Sequence, residues 1–285
     1  MKVVRSKRNL STTPDTDRMP SAHIWQDCPW EDIVNGNVNG AWDFDDFVKF
    51  PITPPTTEGN WGPYAMFSST GGTAANLSAT TLGGVLALGS DGDDEGASLR
   101  TVSTPYRIDT DQKKLWFECR VKSSTITDTK HGFFIGLWEN VALTATVPIA
   151  AAGTLSDNNF VGFHRLEGDG DQIDFVYKAD GVTQVTVDAD MLDVGTTALE
   201  ADTWVKLGMV FEHREDLYTG TKFVLTPFYN GIRGDTKTIP AADGTDFPND
   251  VAMGFAFAVL NATGSTPGTS SIDWFRIAQL YEEPN

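Results

Sequence analysis

The sequence predicts an all-β chain: two antiparallel sheets packed face to face as a β-sandwich, preceded by an extended N-terminal arm. Three observations carry that reading. Short apolar segments alternate with period two, 27 glycines and 14 prolines fall between those segments, and long amphipathic helical patterns are nearly absent. A chain of 285 residues buries roughly 70–75% of its unfolded surface, so it needs neither metal nor disulfide to fold.

Residues 1–40 are rich in Pro, Asn, Ser and charge and read as an arm that stays disordered unless something binds it, while 41–285 read as the sandwich domain. The first strand candidates, "AWDFDDF" (41–47) and "GGVLALGS" (83–90), are weak. The next is clear: in "LWFECRVK" (115–122), Leu115, Phe117, Cys119 and Val121 share one side of the pleat, and Trp116, Glu118, Arg120 and Lys122 share the other. "GFFIGLW" (132–138) follows a polar connector, and the two segments read as adjacent core strands burying Leu115, Phe117, Val121, Phe133, Ile135 and Leu137. Each such side chain contributes roughly 1.5–3 kcal/mol when fully buried.

"NFVGFHRL" (159–166), "IDFVYKA" (173–179) and "KFVLTPFYN" (222–230) continue the pattern. In "WVKLGMVF" (204–211), Val205, Leu207, Met209 and Phe211 face one way; in "MGFAFAV" (253–259), Met253, Phe255, Phe257 and Val259 do, and "SIDWFRIAQLY" (271–281) closes the chain. "DADML" (188–192) and "TTALEADTW" (196–204) offer at most one helical turn each, and no fixed-period repeat suggests a propeller or solenoid.

The formal net charge is −18 with a pI near 4.4, which argues against nucleic acid or an anionic membrane as partner, since both are polyanions. The charge is uneven. Residues 1–20 hold Lys2, Arg5, Lys7, Arg8 and Arg18 against Asp15 and Asp17, a net of +3, and leave 16 basic and 37 acidic residues, −21, for the rest. The arm has no apolar core of a secretory signal, and no apolar run reaches the 18 residues of a membrane span. Cys28 and Cys119 are far apart and read as two free thiols.

The familiar catalytic signatures are missing: G-x-S-x-G, G-x-x-x-x-G-K-[ST], G-x-G-x-x-G after a strand, and the HxH or HExxH spacing among His23, His131, His164 and His213. A retaining glycosidase needs two carboxylates about 5 Å apart, and E-x-D-x-x-E along one strand provides them. The nearest match, "EGDGDQ" (Glu167 to Gln172), ends in Gln and reads as a hairpin turn. Asp91, Asp93 and Glu95 in "SDGDDEGASL" open like a calcium loop, but Val102 stands where the bidentate Glu belongs. No cofactor is expected, calcium being the weak candidate. Asp43 and Asp45 share one strand face and read as a solvated edge.

Trp25, Trp30, Trp42 and Trp61 put half of the eight tryptophans near the amino end. Two destinations stay open for them: packing back on the chain's own sandwich, or docking on a neighbour. In the second case Lys2, Arg5, Lys7, Arg8, Arg18, Trp25 and Trp30 would be the partner-binding residues of the arm, cations and flat amphipathic rings together suiting an acidic partner.

"KLWFECRVKSSTITDTKHGFFIGLWE", "FVGFHRLEGDGDQIDFVYKADG", "WVKLGMVFE", "FYNG" and "IDWFRIAQL" together resemble the concanavalin A-like lectin/glucanase jelly-roll domains of tailed-bacteriophage virion proteins, over roughly residues 41–281. The resemblance implies a jelly roll displayed on the virion, such as a capsid decoration protein of the capsid exterior, assembled in the host cytoplasm. Its expected partners are the major capsid protein or another virion protein, and further copies of itself, with a trimer suiting a lattice junction. Paired glutamates and a complete lectin metal site are missing, so no enzymatic activity is expected. The alternative is a carbohydrate-binding module or glucanase-like domain of a tail fibre or hydrolase.

Overall fold

The computed structural model describes residues 17–49, 53–55, 58–70, 72–76, 84–108, 112–127, 131–144, 148–150, 153–191, 199–216, 220–240, 246–261 and 267–281. Two antiparallel sheets pack face to face. One contains β1 (Gly40–Asp45), β4 (Gly72–Asn76), β5 (Leu86–Ser90), β7 (Gln112–Ser123), β14 (Val205–Asp216), β15 (Gly220–Tyr229), β16 (Ile232–Arg233), β17 (Lys237–Pro240) and β19 (Gly268–Tyr281). The other contains β2 (Glu58–Trp61), β3 (Tyr64–Ser68), β6 (Glu95–Thr101), β8 (Gly132–Glu139), β11 (Phe160–Arg165), β12 (Asp174–Lys178), β13 (Val185–Asp188) and β18 (Met253–Asn261). A small hairpin, β9 (Ile149–Ala150) with β10 (Thr154–Leu155), stands apart from both.

In the first sheet the order is β16-β15-β14-β7-β19-β5-β4, with β1 on β19 and β17 on β15; in the second it is β13-β12-β11-β8-β18-β6-β3-β2. The expected adjacency of β7 and β8 is therefore corrected. β7 lies between β14 and β19, and β8 lies between β11 and β18 in the opposite sheet. The polar connector crosses the sandwich, so the two apolar faces meet across the core and do not extend one another. The alternation itself is as read: Leu115, Phe117, Cys119, Val121, Phe133, Ile135 and Leu137 are all buried in one cluster between the sheets.

That cluster also takes Val205, Leu207, Met209 and Phe211 from β14 and Met253, Phe255, Phe257 and Val259 from β18. Its centre is a ring stack: Phe255 lies on Phe275 at 3.9 Å between centroids and 4° between planes, with Phe117 beside it at 6.5 Å. Two buried polar side chains tie connectors to this frame. The His131 imidazole sits between Ser90 Oγ (3.2 Å) and Ser270 Oγ (2.9 Å). The Arg165 guanidinium donates to the carbonyls of Thr127 (3.1 Å), His131 and Gly170, joining the β7–β8 connector to the turn after β11.

Helices occur where the sequence shows no helical period: α1 (Ala22–Trp25) and α2 (Trp30–Val34) both lie in the amino-terminal segment. Of the two segments that offered a helical turn, residues 189–191 form a bend and turn after β13 and 201–202 form a turn, while 192 and 196–198 lie outside the described residues. Among the described residues no helix is long and apolar enough to cross a membrane.

Replacing Phe255 by Ala empties the ring stack and is expected to cost about 3–5 kcal/mol in urea denaturation. Full burial holds the His131 pKa down at about 3, with the nearby Arg165 cation adding to the effect. An unfolded His takes its proton near 6.5, so the contribution of His131 to stability falls as pH drops from about 6.5 towards 3, by up to ~1.4 kcal/mol per unit. The difference in denaturation midpoint between the native chain and His131→Gln, measured at pH 7 and pH 5, isolates this contribution from those of buried carboxyl groups, which run the other way.

Candidate functional site

The outer face of the nine-stranded sheet carries an extended polar constellation, and the amino-terminal segment is what organises it. With the odd-numbered residues of β7 turned to the core, Trp116, Glu118 and Arg120 face outward. β14 adds Lys206, Gly208 and Val210 beside them, in register with Arg120, Glu118 and Trp116. On β19 the pairing slips between Ile272 and Trp274, and Asp273, Trp274 and Arg276 join the same face.

Residues 17–34 lie on this surface. Arg18 forms a bidentate pair with Asp273 (2.8 and 3.0 Å), Arg120 binds the same carboxylate at 2.7 Å, and Trp274 Nε1 donates to the Arg18 carbonyl at 2.8 Å. Lys206, only 1% exposed at its side chain, directs Nζ to the Met19 carbonyl (2.9 Å) and to Asp17 (3.3 Å). Glu118, fully buried, accepts from the Ser21 backbone N–H (2.9 Å) and from Trp25 Nε1 (2.7 Å). Trp116 Nε1 and Lys114 Nζ both reach Asp27.

Apolar packing completes the dock. Ile24, Ile33, Trp116, Val210 and Ala278 form a second small core, edged by Trp25, Cys28, Trp30, Phe228 and Leu280. Gly208 makes room for it, because a Cβ there would stand 2.4 Å from Ile24 Cδ1. The Arg276 guanidinium lies over both Trp25 (4.6 Å) and Trp30 (3.5 Å), so two indole faces solvate a half-buried cation. Of the two destinations open to Trp25 and Trp30, the structure has the chain's own sheet. Arg18 joins them there, and Lys2, Arg5, Lys7 and Arg8 lie outside the described residues.

Burial shapes the charges. Desolvation lifts the Glu118 pKa to about 7 against the pull of its Ser21 and Trp25 donors and of Lys206. It also pushes the Cys28 thiol to about 12 and lowers Arg276. Cys28 and the buried Cys119 are free thiols.

The outer face of the eight-stranded sheet is covered as well. Phe134, Trp138, Phe160, Val176, Ala256 and Ala258 pack under Ile149 and Leu155 of the small hairpin, with Trp138 and Phe160 stacked at 4.8 Å. Gly136 and Gly162 oppose one another below these rings, and a Cβ on Gly162 would come within 2.9 Å of Phe134.

The acidic candidates fall elsewhere. Asp43 and Asp45, expected to be solvated, are half-buried and turned inward, because β1 joins the edge of β19 with Trp42 and Phe44 outward. Asp45 accepts from the Tyr64 hydroxyl and the Phe47 N–H, both at 2.7 Å, and burial together with Asp45 raises Asp43 to about 6. Residues Glu167 to Gln172 lie in the β11–β12 turn, where Asp169 caps the Leu166 N–H at 2.5 Å. Asp91 and Asp93 lie in the β5–β6 turn and Glu95 opens β6, and among the described residues no three His, Cys, Asp or Glu side chains come together as metal ligands.

Arg276→Ala removes the cation from between the indoles, with an expected loss of about 1–3 kcal/mol. Arg276→Lys restores only part of it, since an ammonium does not stack between two rings. Urea denaturation followed by Trp fluorescence measures both.

No family model matches the chain, and no curated protein matches it in sequence. Solved structures do. Peanut lectin is similar at 12% identity with a TM-score of 0.52, over 87% of this chain and 100% of that one. An endo-1,3-beta-glucanase from Streptomyces sioyaensis is similar at 12% identity with a TM-score of 0.51, over 84% and 97%. At such identity the likeness is one of architecture: the chain has the jelly-roll sandwich of concanavalin A-like lectins and glucanases.

Proposed function

We propose that this chain is a non-enzymatic structural protein of a tailed-phage virion, a decoration protein on the capsid exterior that is held to an acidic neighbour by its cationic amino-terminal segment. One observation carries the reading: the chain uses its own segments to cover the outer faces of both sheets, residues 17–34 on one and the β9–β10 hairpin on the other. A sugar groove requires an open concave face with convergent polar groups, whereas these faces are packed with Ile, Phe and Trp. The charge split supports attachment through the amino end. Residues 1–16 hold four cations and one carboxylate, leaving −21 on the remainder, so the segment suits the major capsid protein, another virion protein, or a neighbouring copy in a trimer.

A second reading, a carbohydrate-binding module, is favoured by Trp42 and Phe44. They stand 46% and 44% exposed on β1, with Trp42 in edge contact with Trp30 at 5.7 Å. Such flat, accessible rings are suited to stacking on a sugar.

Deleting residues 1–16 removes Lys2, Arg5, Lys7 and Arg8 and keeps Arg18, Ser21 and Trp25, and a urea denaturation curve on the truncated chain checks that its fold is retained. Binding of this truncated chain to phage particles lacking the protein is expected to fall at least about tenfold, and binding of the full chain to weaken with added salt. Undiminished, salt-independent attachment rejects the tether. Specific glycan binding on an array, lost in Trp42→Ala, or release of reducing sugar, lost in Asp43→Asn, replaces the structural role with the second reading.

A further inference from the structure

Arg100 is a buried cation with no anion set against it among the described residues. Ala97 and Leu99 of β6 turn into the core, so Arg100 lies on the outer face of the eight-stranded sheet, 7% exposed, between Ala65 of β3 and Ala256 of β18. Its Nη1 donates to Asn140 Oδ1 at 2.7 Å, and its Nε is buried without an acceptor. Burial lowers its pKa, and no carboxylate acts in the opposite direction.

The other buried cations have counterparts: Asp273 for Arg120, the Met19 carbonyl and Asp17 for Lys206, three carbonyls for Arg165, two indole faces for Arg276. A guanidinium cannot shed its proton to escape burial, so an unpaired one is costly to keep. With Nη1 held by Asn140, its free side is the Nε–Nη2 edge, two parallel N–H donors spaced to meet both oxygens of one carboxylate. Asn140 is exposed, so the head of Arg100 comes to the surface beside it, and the flanking alanines are too short to screen it. Trp138, two residues before Asn140 and turned to the same face, also buries its indole N–H without an acceptor. Both orphaned groups are donors, so the group they lack is an acceptor.

We propose that Arg100, held in place by Asn140, is a binding site for a single carboxylate group on the outer face of the eight-stranded sheet. One cation and one donor edge match a monoanion; a dianion would leave a charge unmatched on a body that is itself strongly negative. A round ion such as chloride meets the edge with one centre where a carboxylate meets it with two. The same group is carried by a small organic acid and by a Glu or Asp side chain of a neighbouring protein. Binding leaves the small hairpin and the amino-terminal segment on their sheet faces, and the site stands whether or not the chain decorates a virion.

The arginine Nε–H signals of the 15N-labelled full chain, followed by NMR at neutral pH, test the site. Sodium acetate is titrated in up to about 100 mM, enough to saturate a site of millimolar affinity, against sodium chloride at the same ionic strength. One Nε–H signal is expected to move downfield and saturate in acetate, to stay in place in chloride, and to be missing from Arg100→Lys. Asn140→Ala changes an exposed side chain, keeps the fold, and is expected to weaken acetate binding by about tenfold, since the guanidinium loses its anchor. Glutamate blocked at both backbone ends separates the two sources: binding at least as tight as acetate assigns the site to a partner's side chain, and binding about tenfold weaker assigns it to a free acid. Equal shifts in chloride, a shift that does not saturate, or a moving signal that persists in Arg100→Lys overturns the site. If Arg100→Lys does not fold, Asn140→Ala decides, and unchanged acetate affinity there overturns it.

Discussion

The central strands β14, β7 and β19 are buried on both faces, and the rest of the molecule follows from that constraint. Their inward residues form the sandwich core together with the opposite sheet. Their outward residues are covered by the chain's own amino-terminal segment. A strand patterned apolar on one side and polar on the other is normally half-solvated; here the polar side is interior too. Buried polar groups must be paired, so the covering segment supplies partners one by one: Arg18 for Asp273, the Met19 carbonyl for Lys206, the Ser21 and Trp25 N–H groups for Glu118, Asp27 for Trp116.

This pairing gives residues 17–34 a fixed place without much regular structure. The two helices are four and five residues long and have no side-chain caps, so neither would hold alone. They persist because Ile24 and Ile33 fill a small core and Arg276 is clasped by two indoles. The aromatic rings thus serve the cation and the carboxylate at once, Trp25 stacking on Arg276 while its N–H reaches Glu118. Cutting either interaction weakens the other, as expected of a coupled network.

The same economy shapes what the surface offers a partner. With one sheet face under the amino-terminal segment and the other under the small hairpin, the exposed large apolar groups among the described residues are Met19, Val34, Val38, Val48, Val102, and Trp42 and Phe44 on β1. The acidic groups of β1 are turned inward, and Tyr64 holds Asp45. The likeness to a lectin and a glucanase is one of frame.

The sequence by itself determined the strands and the side on which each residue sits. Period-two alternation is local, and Leu115, Phe117 and Val121 lie inside and Trp116, Glu118 and Arg120 outside as that period requires. What alternation cannot say is which sheet a strand joins or what lies on its far side. β7 and β8 are neighbours in sequence yet face each other across the core, and β6, with its Gly and Ser residues, shows too little contrast to read. The docking site was decided by tertiary structure alone. Ser21 meets Glu118 across 97 residues and Arg18 meets Asp273 across 255, and no local pattern encodes which distant groups desolvate one another.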